Sequence, residues 1–107
     1  MSGFIQINSQ NFEEEIIQSA TPVLLEFGGV WCKPCKTLEP LLLKLGETWG
    51  DRLKLAKLDV DDHPEIAMQY HVMSVPTTIL FINGSQKEVI VGLKSPERIR
   101  EKVEQHL

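Results

Sequence analysis

Hydrophobic and polar positions change period along the chain in a way that predicts strands alternating with helices. Short runs rich in apolar and β-prone residues predict strands at residues 4–7, 23–27, 53–59, 75–82 and 87–91. Segments of helical periodicity follow the first three strands and the last one. The order β-α-β-α-β-α-β-β-α indicates an α/β protein, because strands joined by helices run parallel and a terminal hairpin adds an antiparallel edge. We therefore expect a mixed five-stranded sheet with helices on both faces.

Local signals set the expected starts of the first two helices. Asn8 or Ser9 is a suitable N-cap for the first helix, which Thr21-Pro22 ends. Its inward face consists of Phe12, Ile16, Ile17 and Ala20. The second helix begins at Cys32 or Pro34 and runs to about Trp49, with a kink expected at Pro40. Its inward stripe is Leu38, Leu41, Leu42 and Leu45.

The second half of the chain has equally clear boundaries. Asp61 or Asp62 is expected to begin the third helix, with Pro64 in the first turn and Glu65 in capping-box position to Asp62. Asn83-Gly84 predicts a tight hairpin, because both residues tolerate positive φ. Ser95-Pro96 opens the last helix, from which Ile99 and Val103 face inward.

Composition narrows the class of protein. The chain has 107 residues, a length that predicts one domain over residues 1–107, and its net charge is −4. No basic stripe suggests nucleic-acid binding, and no apolar run approaches the roughly 18 residues of a membrane span. The N-terminus lacks the pattern of a signal peptide. We therefore expect a cytoplasmic protein that binds neither nucleic acid nor membrane.

The only two cysteines, Cys32 and Cys35, lie together where a buried strand meets a helix. Thiol–disulfide exchange needs a thiolate and a second thiol within reach, and the N-terminus of a helix lowers the pKa of a thiol. The alternative to a redox site is that both cysteines are buried, structural and chemically inert. A zinc site is disfavoured because it needs four ligands and the three histidines, His63, His71 and His106, do not have zinc-ligand spacing. No metal or other cofactor is expected.

The segment Trp31-Cys32-Lys33-Pro34-Cys35-Lys36 resembles the active-site motif of the thioredoxin family, and the resemblance covers residues 4–107. Other positions in the family's order and spacing are Phe12, Phe27, Pro40, Lys57, Asp61, Pro64, Tyr70, Pro76-Thr77, Phe81, Asn83-Gly84 and Gly92. The resemblance implies the thioredoxin fold and a protein-disulfide reductase. It further implies that Cys32 attacks, that Cys35 resolves the mixed disulfide, and that Pro76 follows a cis peptide bond. The implied substrate groove consists of Trp31, Lys33, Pro34, Val75, Pro76 and Gly92.

The resemblance also implies partners: disulfide-containing protein substrates, a thioredoxin-reductase-type electron donor, and a monomeric protein. A thioredoxin-fold oxidase or isomerase is one alternative, because the same site would oxidise or rearrange substrate thiols instead of reducing disulfides if its reduction potential were much higher. A non-catalytic thioredoxin-fold binding module is another, in which the fold and not the thiols serves a partner. Replacing both cysteines with serine distinguishes the binding module from an enzyme, because only the role of a binding module would survive the replacement.

Glu26 interrupts an apolar strand, so we expect it to be desolvated with a raised pKa. The family usually has Asp here, beneath the resolving cysteine, which implies that Glu26 takes the proton of Cys35 and that Lys57 tunes it. The alternative is a structural acid paired with Lys57. The other departures are at Lys33, where the family usually has Gly, at Gly28-Gly29, where it has an aromatic residue and Ala, and at Ser74, where Gly is common. We expect Lys33 to favour the Cys32 thiolate, and the two glycines to open the surface behind Trp31.

Overall fold

The computed structural model of the chain describes residues 3–107. Its strands are β1 (Ile5–Gln6), β2 (Val23–Gly28), β3 (Lys54–Asp59), β4 (Thr77–Ile82) and β5 (Ser85–Val91). Its helices are α1 (Lys33–Trp49), α2 (Pro64–Gln69) and α3 (Pro96–Glu104), with a π-helical turn at Glu13–Ile17 and a 3₁₀ turn at Gly50–Arg52. The predicted α/β class and five-stranded mixed sheet are confirmed.

The sheet has the order β1-β3-β2-β4-β5, which places β2 near its centre. Strands β1, β3 and β2 are parallel, whereas β4 is antiparallel to both β2 and β5. Alternate residues of β2 enter opposite cores because side chains on a strand alternate between faces. Leu25 and Phe27 pack with the π-helical turn and α2, and Leu24 packs with α1 and α3. Glu26 and Gly28 have the parity of Leu24, so they face α1.

Helix α1 forms where the sequence predicts it. Cys32 is its N-cap, and Pro34 lies in its first turn, where the missing N–H costs no hydrogen bond. The helix continues through Pro40 to Trp49. Its buried residues are Cys35, Leu38, Leu42, Leu45 and Trp49. The predicted stripe is corrected at Leu41, which is only half-buried.

The first helix is shorter than predicted. Asn8 caps this region as expected, because its Oδ1 accepts hydrogen bonds from the backbone N–H groups of Gln10 and Asn11. The helical turn ends at Ile17, however, and Ala20, predicted to face inward, is exposed. The reason is a local turn: the Ser19 hydroxyl donates to the carbonyl of Thr21 and accepts from its N–H.

The expected start of the third helix is wrong by at least two residues. Helix α2 begins at Pro64 with His63 in the N-cap position, so Asp62 and Glu65 form no capping box. The carboxylate of Asp59 instead accepts the N–H of Asp61 and holds a turn there. Strand β4 begins at Thr77 and not at the predicted residue 75. A similar turn precedes it, in which the Thr77 hydroxyl donates to the carbonyl of Ser74.

The C-terminal elements are confirmed. Asn83 and Gly84 both have positive φ and join β4 to β5, which begins two residues earlier than predicted and pairs with β4 across a bulge. The Ser95 hydroxyl accepts the N–H of Arg98 and caps α3. Within residues 3–107, none of the helices combines the length and the apolar character that a membrane crossing requires.

Candidate active site

The two cysteines lie at the junction of β2 and α1 and form a disulfide with a Cα–Cα distance of 5.3 Å. The Sγ atom of Cys32 accepts a hydrogen bond of 3.2 Å from the backbone N–H of Cys35. Cys35 is fully buried, and Cys32 is 2% exposed. A sulfur at a helix N-terminus that already accepts an N–H is stabilised as a thiolate once the disulfide is reduced. Lys33 and Lys36 are exposed beside it and add positive charge.

Glu26 lies on the α1 face of β2, only 1% exposed. Neither of its carboxyl oxygens has a hydrogen-bond partner within the described part of the chain. Burial, the largest cause, and the negative charge of Glu39 together raise the pKa of Glu26 to about 8, against the opposing positive charge of Lys57. Below pH 8 the carboxyl of the oxidised protein is therefore largely protonated.

Lys57 is the cross-strand neighbour of Glu26, but its ammonium binds another acid. Its Nζ lies 3.2 Å from Oε1 of Glu39 on α1 and 5.5 Å from the ring centre of Phe4. The alternative that pairs Glu26 with Lys57 is therefore wrong as to the partner, because within the described residues Lys57 pairs with Glu39. Sequence reasoning missed Glu39. The available signal was its spacing of four from Cys35, which places it on the same helix face.

Gly28 brings the main chain of β2 close to both reacting groups. A Cβ placed on Gly28 would lie 2.8 Å from Oε2 of Glu26 and 3.1 Å from Sγ of Cys35. The backbone of Gly28 also borders a cleft of about 290 Å³ whose other walls include Glu26, Gly29, Glu39 and Lys57. Both glycines border this cleft, whose walls do not include Trp31.

Trp31 is 61% exposed, and its indole is fixed on one side. Its Nε1–H donates to Oδ2 of Asp61, in the loop after β3. A Cβ on Gly29 would lie 2.9 Å from the same Nε1 atom, so the indole packs directly over Gly29. Gly29 therefore supports the indole, which the sequence did not indicate.

Of the other predicted groove residues, Val75 and Pro76 lie in the loop before β4, and Gly92 directly follows β5. The Val75–Pro76 peptide bond is cis, as the resemblance implied. The N–H of Gly92 donates to the carbonyl of Pro76 at 2.8 Å, and Gly92 has a φ of +85°. The structure thus joins Pro76 to Gly92, with Val75 half-buried next to them. Trp31 is instead joined by hydrogen bond to Asp61.

Comparison with known proteins agrees with this geometry. A family model described as Thioredoxin matches residues 3–105. The chain belongs to the thioredoxin family. It is 39% identical to a thioredoxin of Bacillus subtilis over 103 residues, covering 96% of this chain and 97% of that one. It is 39% identical over 87 residues to a thioredoxin of Rickettsia bellii (81% and 83% covered) and 30% identical over 107 residues to thioredoxin 1 of a Nostoc strain, with both chains covered completely.

This family member is a thiol–disulfide oxidoreductase that works by dithiol–disulfide exchange at Cys32 and Cys35. The chemistry needs two sulfurs within bonding distance, and the disulfide provides them. Thioredoxin chemistry also moves a proton when the second thiol attacks. Glu26 is the only buried acid among the described residues, and a Cβ built on Gly28 would lie close to both its Oε2 and Sγ of Cys35.

Proposed function

We propose that the protein is a protein-disulfide reductase in which Cys32 is the nucleophile and Cys35 the resolving thiol. The observation that supports this order is the contact between Cys32 Sγ and the N–H of Cys35 at the start of α1. Cys32 is the sulfur that the helix stabilises as a thiolate, and it is the less buried of the two. Cys35 is held one turn further in, as a resolving thiol must be.

The reaction transfers two electrons from the protein dithiol to a substrate disulfide. The Cys32 thiolate attacks one substrate sulfur, the substrate S–S bond breaks, and the other substrate sulfur leaves as a thiolate. Cys35 then loses its proton to Glu26 and attacks Sγ of Cys32. The mixed disulfide breaks, the second substrate sulfur leaves as a thiolate, and the Cys32–Cys35 disulfide forms.

Glu26 acts in both directions of this cycle. In the oxidised protein it is protonated below pH 8, so it donates a proton to Cys35 when a reductant opens the disulfide at Cys32. In the reverse direction the carboxylate accepts that proton. Lys57 tunes this acid through its charge, while its ion pair to Glu39 keeps the ammonium from neutralising Glu26 directly.

The substrate site that we propose is an extended groove formed by Trp31, Lys33, Pro34, Val75, Pro76 and Gly92. Exposure of Trp31 and Pro34 next to the disulfide supports this location. Met73, 93% exposed just before Val75, adds apolar surface on the same loop. An unfolded segment carrying a disulfide fits such a surface, because apolar side chains contact it while the main chain stays extended.

We also infer that the partners are disulfide-containing proteins and a thioredoxin-reductase-type donor that restores the dithiol with two electrons. We propose a single domain over residues 1–107, which the two cores on one sheet and the radius of gyration of 12.4 Å support. We further propose that it acts as a monomer in the cytoplasm. A reducing compartment supplies the electrons that this direction of exchange needs.

Insulin reduction tests the proposed function directly. The parent protein, supplied with dithiothreitol, should accelerate insulin precipitation, and Cys32→Ser should abolish this. Reduced Cys35→Ser, mixed with insulin after dithiothreitol is removed, should form a mixed disulfide that persists, which mass spectrometry detects at the mass of one protein plus one substrate chain. Acceleration above the rate with dithiothreitol alone that survives in Cys32→Ser would refute the assignment of the nucleophile.

A further inference from the structure

Glu26 and Gly28 occupy the same face of β2, two residues apart. Side chains at i and i+2 of a strand point the same way, so a side chain at position 28 would extend beside the carboxyl of Glu26. Helix α1 covers that face and places Cys35 over both positions. The three residues therefore compete for one small volume behind the disulfide.

The distances show that this volume has no room for a β-carbon. The position that a Cβ of residue 28 would take lies 2.8 Å from Oε2 of Glu26, 3.4 Å from its Cδ and 3.1 Å from Sγ of Cys35. A carbon cannot approach an oxygen to 2.8 Å without displacing it. Cys35 is fully buried on α1, whereas the carboxyl is the end of a flexible side chain, so the group that moves is the carboxyl of Glu26.

The carboxyl of Glu26 can move into an adjacent cleft, away from Sγ of Cys35. The cleft of about 290 Å³ is bordered by Glu26, Gly28, Glu39 and Lys57. A displaced carboxyl would swing toward the ammonium of Lys57, which already lies on this cleft. Proton transfer between Cys35 and Glu26 would then span a longer distance, and transfer rates fall steeply when the reacting groups are misplaced.

We propose that Gly28 is a positioning residue for the resolving step, matched to glutamate at position 26: the missing β-carbon lets the longer acid keep its carboxyl beside Cys35. This inference rests on the proposed role of Glu26 as the proton acceptor of Cys35. Only a proton moves in the step concerned, from Sγ of Cys35 to the carboxylate of Glu26, and the electrons move in the disulfide exchange already described. An aspartate at position 26 is one methylene shorter, so its carboxyl does not reach the position of a β-carbon at residue 28. That β-carbon is therefore tolerated.

A double-mutant cycle tests the match. The reduced forms of the parent, Gly28→Ala, Glu26→Asp and the double variant are mixed with 5,5′-dithiobis(2-nitrobenzoate) in a stopped-flow instrument. The first release of thionitrobenzoate reports attack by Cys32, and the second reports resolution by Cys35. Gly28→Ala should slow the second release by about tenfold and move the midpoint of its pH–rate profile, leaving the first release unchanged. In the Glu26→Asp background the same substitution should change the second release by less than about twofold.

Gly29→Ala is the matched control, because it adds a β-carbon one residue further on, against Trp31 rather than Glu26. Its effect should be the same in both backgrounds. Equal slowing by Gly28→Ala in both backgrounds would overturn the inference. If Gly28→Ala fails to fold, circular dichroism of the double variant decides: folding restored by Glu26→Asp supports the match, and failure in both backgrounds contradicts it.

The Glu26→Gln variant distinguishes failure of this inference from failure of the proposed role of Glu26. If Glu26→Gln leaves the rate and pH profile of the second release unchanged, the role of Glu26 itself is refuted. If Glu26→Gln slows the second release but Gly28→Ala does not, the proposed function stands and only the match with Gly28 is refuted.

Discussion

The ammonium of Lys57 lies 3.2 Å from Glu39 and forms its ion pair there, although Glu26 is its partner in strand register. Glu39 thereby sets the electrostatics of Glu26 in two ways. Its own negative charge raises the pKa of Glu26, and it holds the lysine that would lower it.

Removing the charge of Glu39 should therefore lower the pKa of Glu26. In Glu39→Gln the repulsion is lost and Lys57 is released toward the buried carboxyl. A carbon-13 NMR titration of the Glu26 carboxyl measures this, and the midpoint should fall below the parent value of about 8. Glu47→Gln, on an exposed position of the same helix, should leave the midpoint in place. An unchanged or higher midpoint in Glu39→Gln would contradict this role.

Glu26 should also make the stability of the oxidised protein depend on pH. Its pKa is raised from 4.5 to about 8 in the folded state, so between these values the unfolded chain releases a proton that the folded protein keeps. The free energy of unfolding is thus unaffected by this group below pH 4.5, falls as pH rises toward 8, and levels off above it. The total loss should be roughly 3–5 kcal/mol.

Urea denaturation at pH 5 and pH 9 measures this loss. The parent should lose several kcal/mol more than Glu26→Gln over that interval, since glutamine does not titrate. The neutral amide has its own cost of burial, but that cost is the same at both pH values. An identical pH dependence in the two proteins would show that Glu26 has an ordinary pKa.

Lys33 should make the protein slightly more oxidising. Its charge next to Cys32 favours the thiolate and hence the reduced form. For an exposed charge of about 0.5–1 kcal/mol, Lys33→Gln should lower the reduction potential by about 10–20 mV. Lys44→Gln, an exposed change later in the same helix, is the control and should leave the potential unchanged. A potential that rises, or does not move, in Lys33→Gln contradicts this assignment.

Asp61 should fix the orientation of the Trp31 indole. In Asp61→Ala the Nε1–H of Trp31 loses its acceptor, so its exchange with solvent should speed up by about tenfold or more. Proton NMR resolves the two indole N–H signals. Trp49 is an internal control, because it is buried and donates to Glu104 at 2.8 Å. Equal exchange rates of Trp31 in the parent and the variant would show that Asp61 does not hold it.

Sequence pattern predicted the fold and the reacting sulfurs because both depend on local signals. The cap at Ser95, the turn at Asn83-Gly84 and the strand–helix junction at Cys32 each depend on residues a few positions apart. The errors arose where a side chain formed a competing turn, as Ser19 does after the first helical turn and Asp59 does before α2.

Contacts between distant residues explain what the pattern missed at the site. Glu26 was recognisable as a buried acid, but its surroundings depend on Glu39 from α1 and Lys57 from β3. The importance of Gly28 appears only when Cys35 is placed over it, since a missing β-carbon has no signature in periodicity. Tertiary structure was needed to show which groups share the space behind the disulfide.

The reduction potential of the Cys32–Cys35 couple tests the central claim, exchange in the reducing direction, most directly. It is measured by equilibrating the protein with dithiothreitol redox buffers and quantifying the two forms after thiol alkylation. A reductase of this family should lie near the value typical of thioredoxins, about −270 mV, and within about 30 mV of it. A potential above about −200 mV, toward the range of disulfide isomerases and oxidases, would contradict the claim.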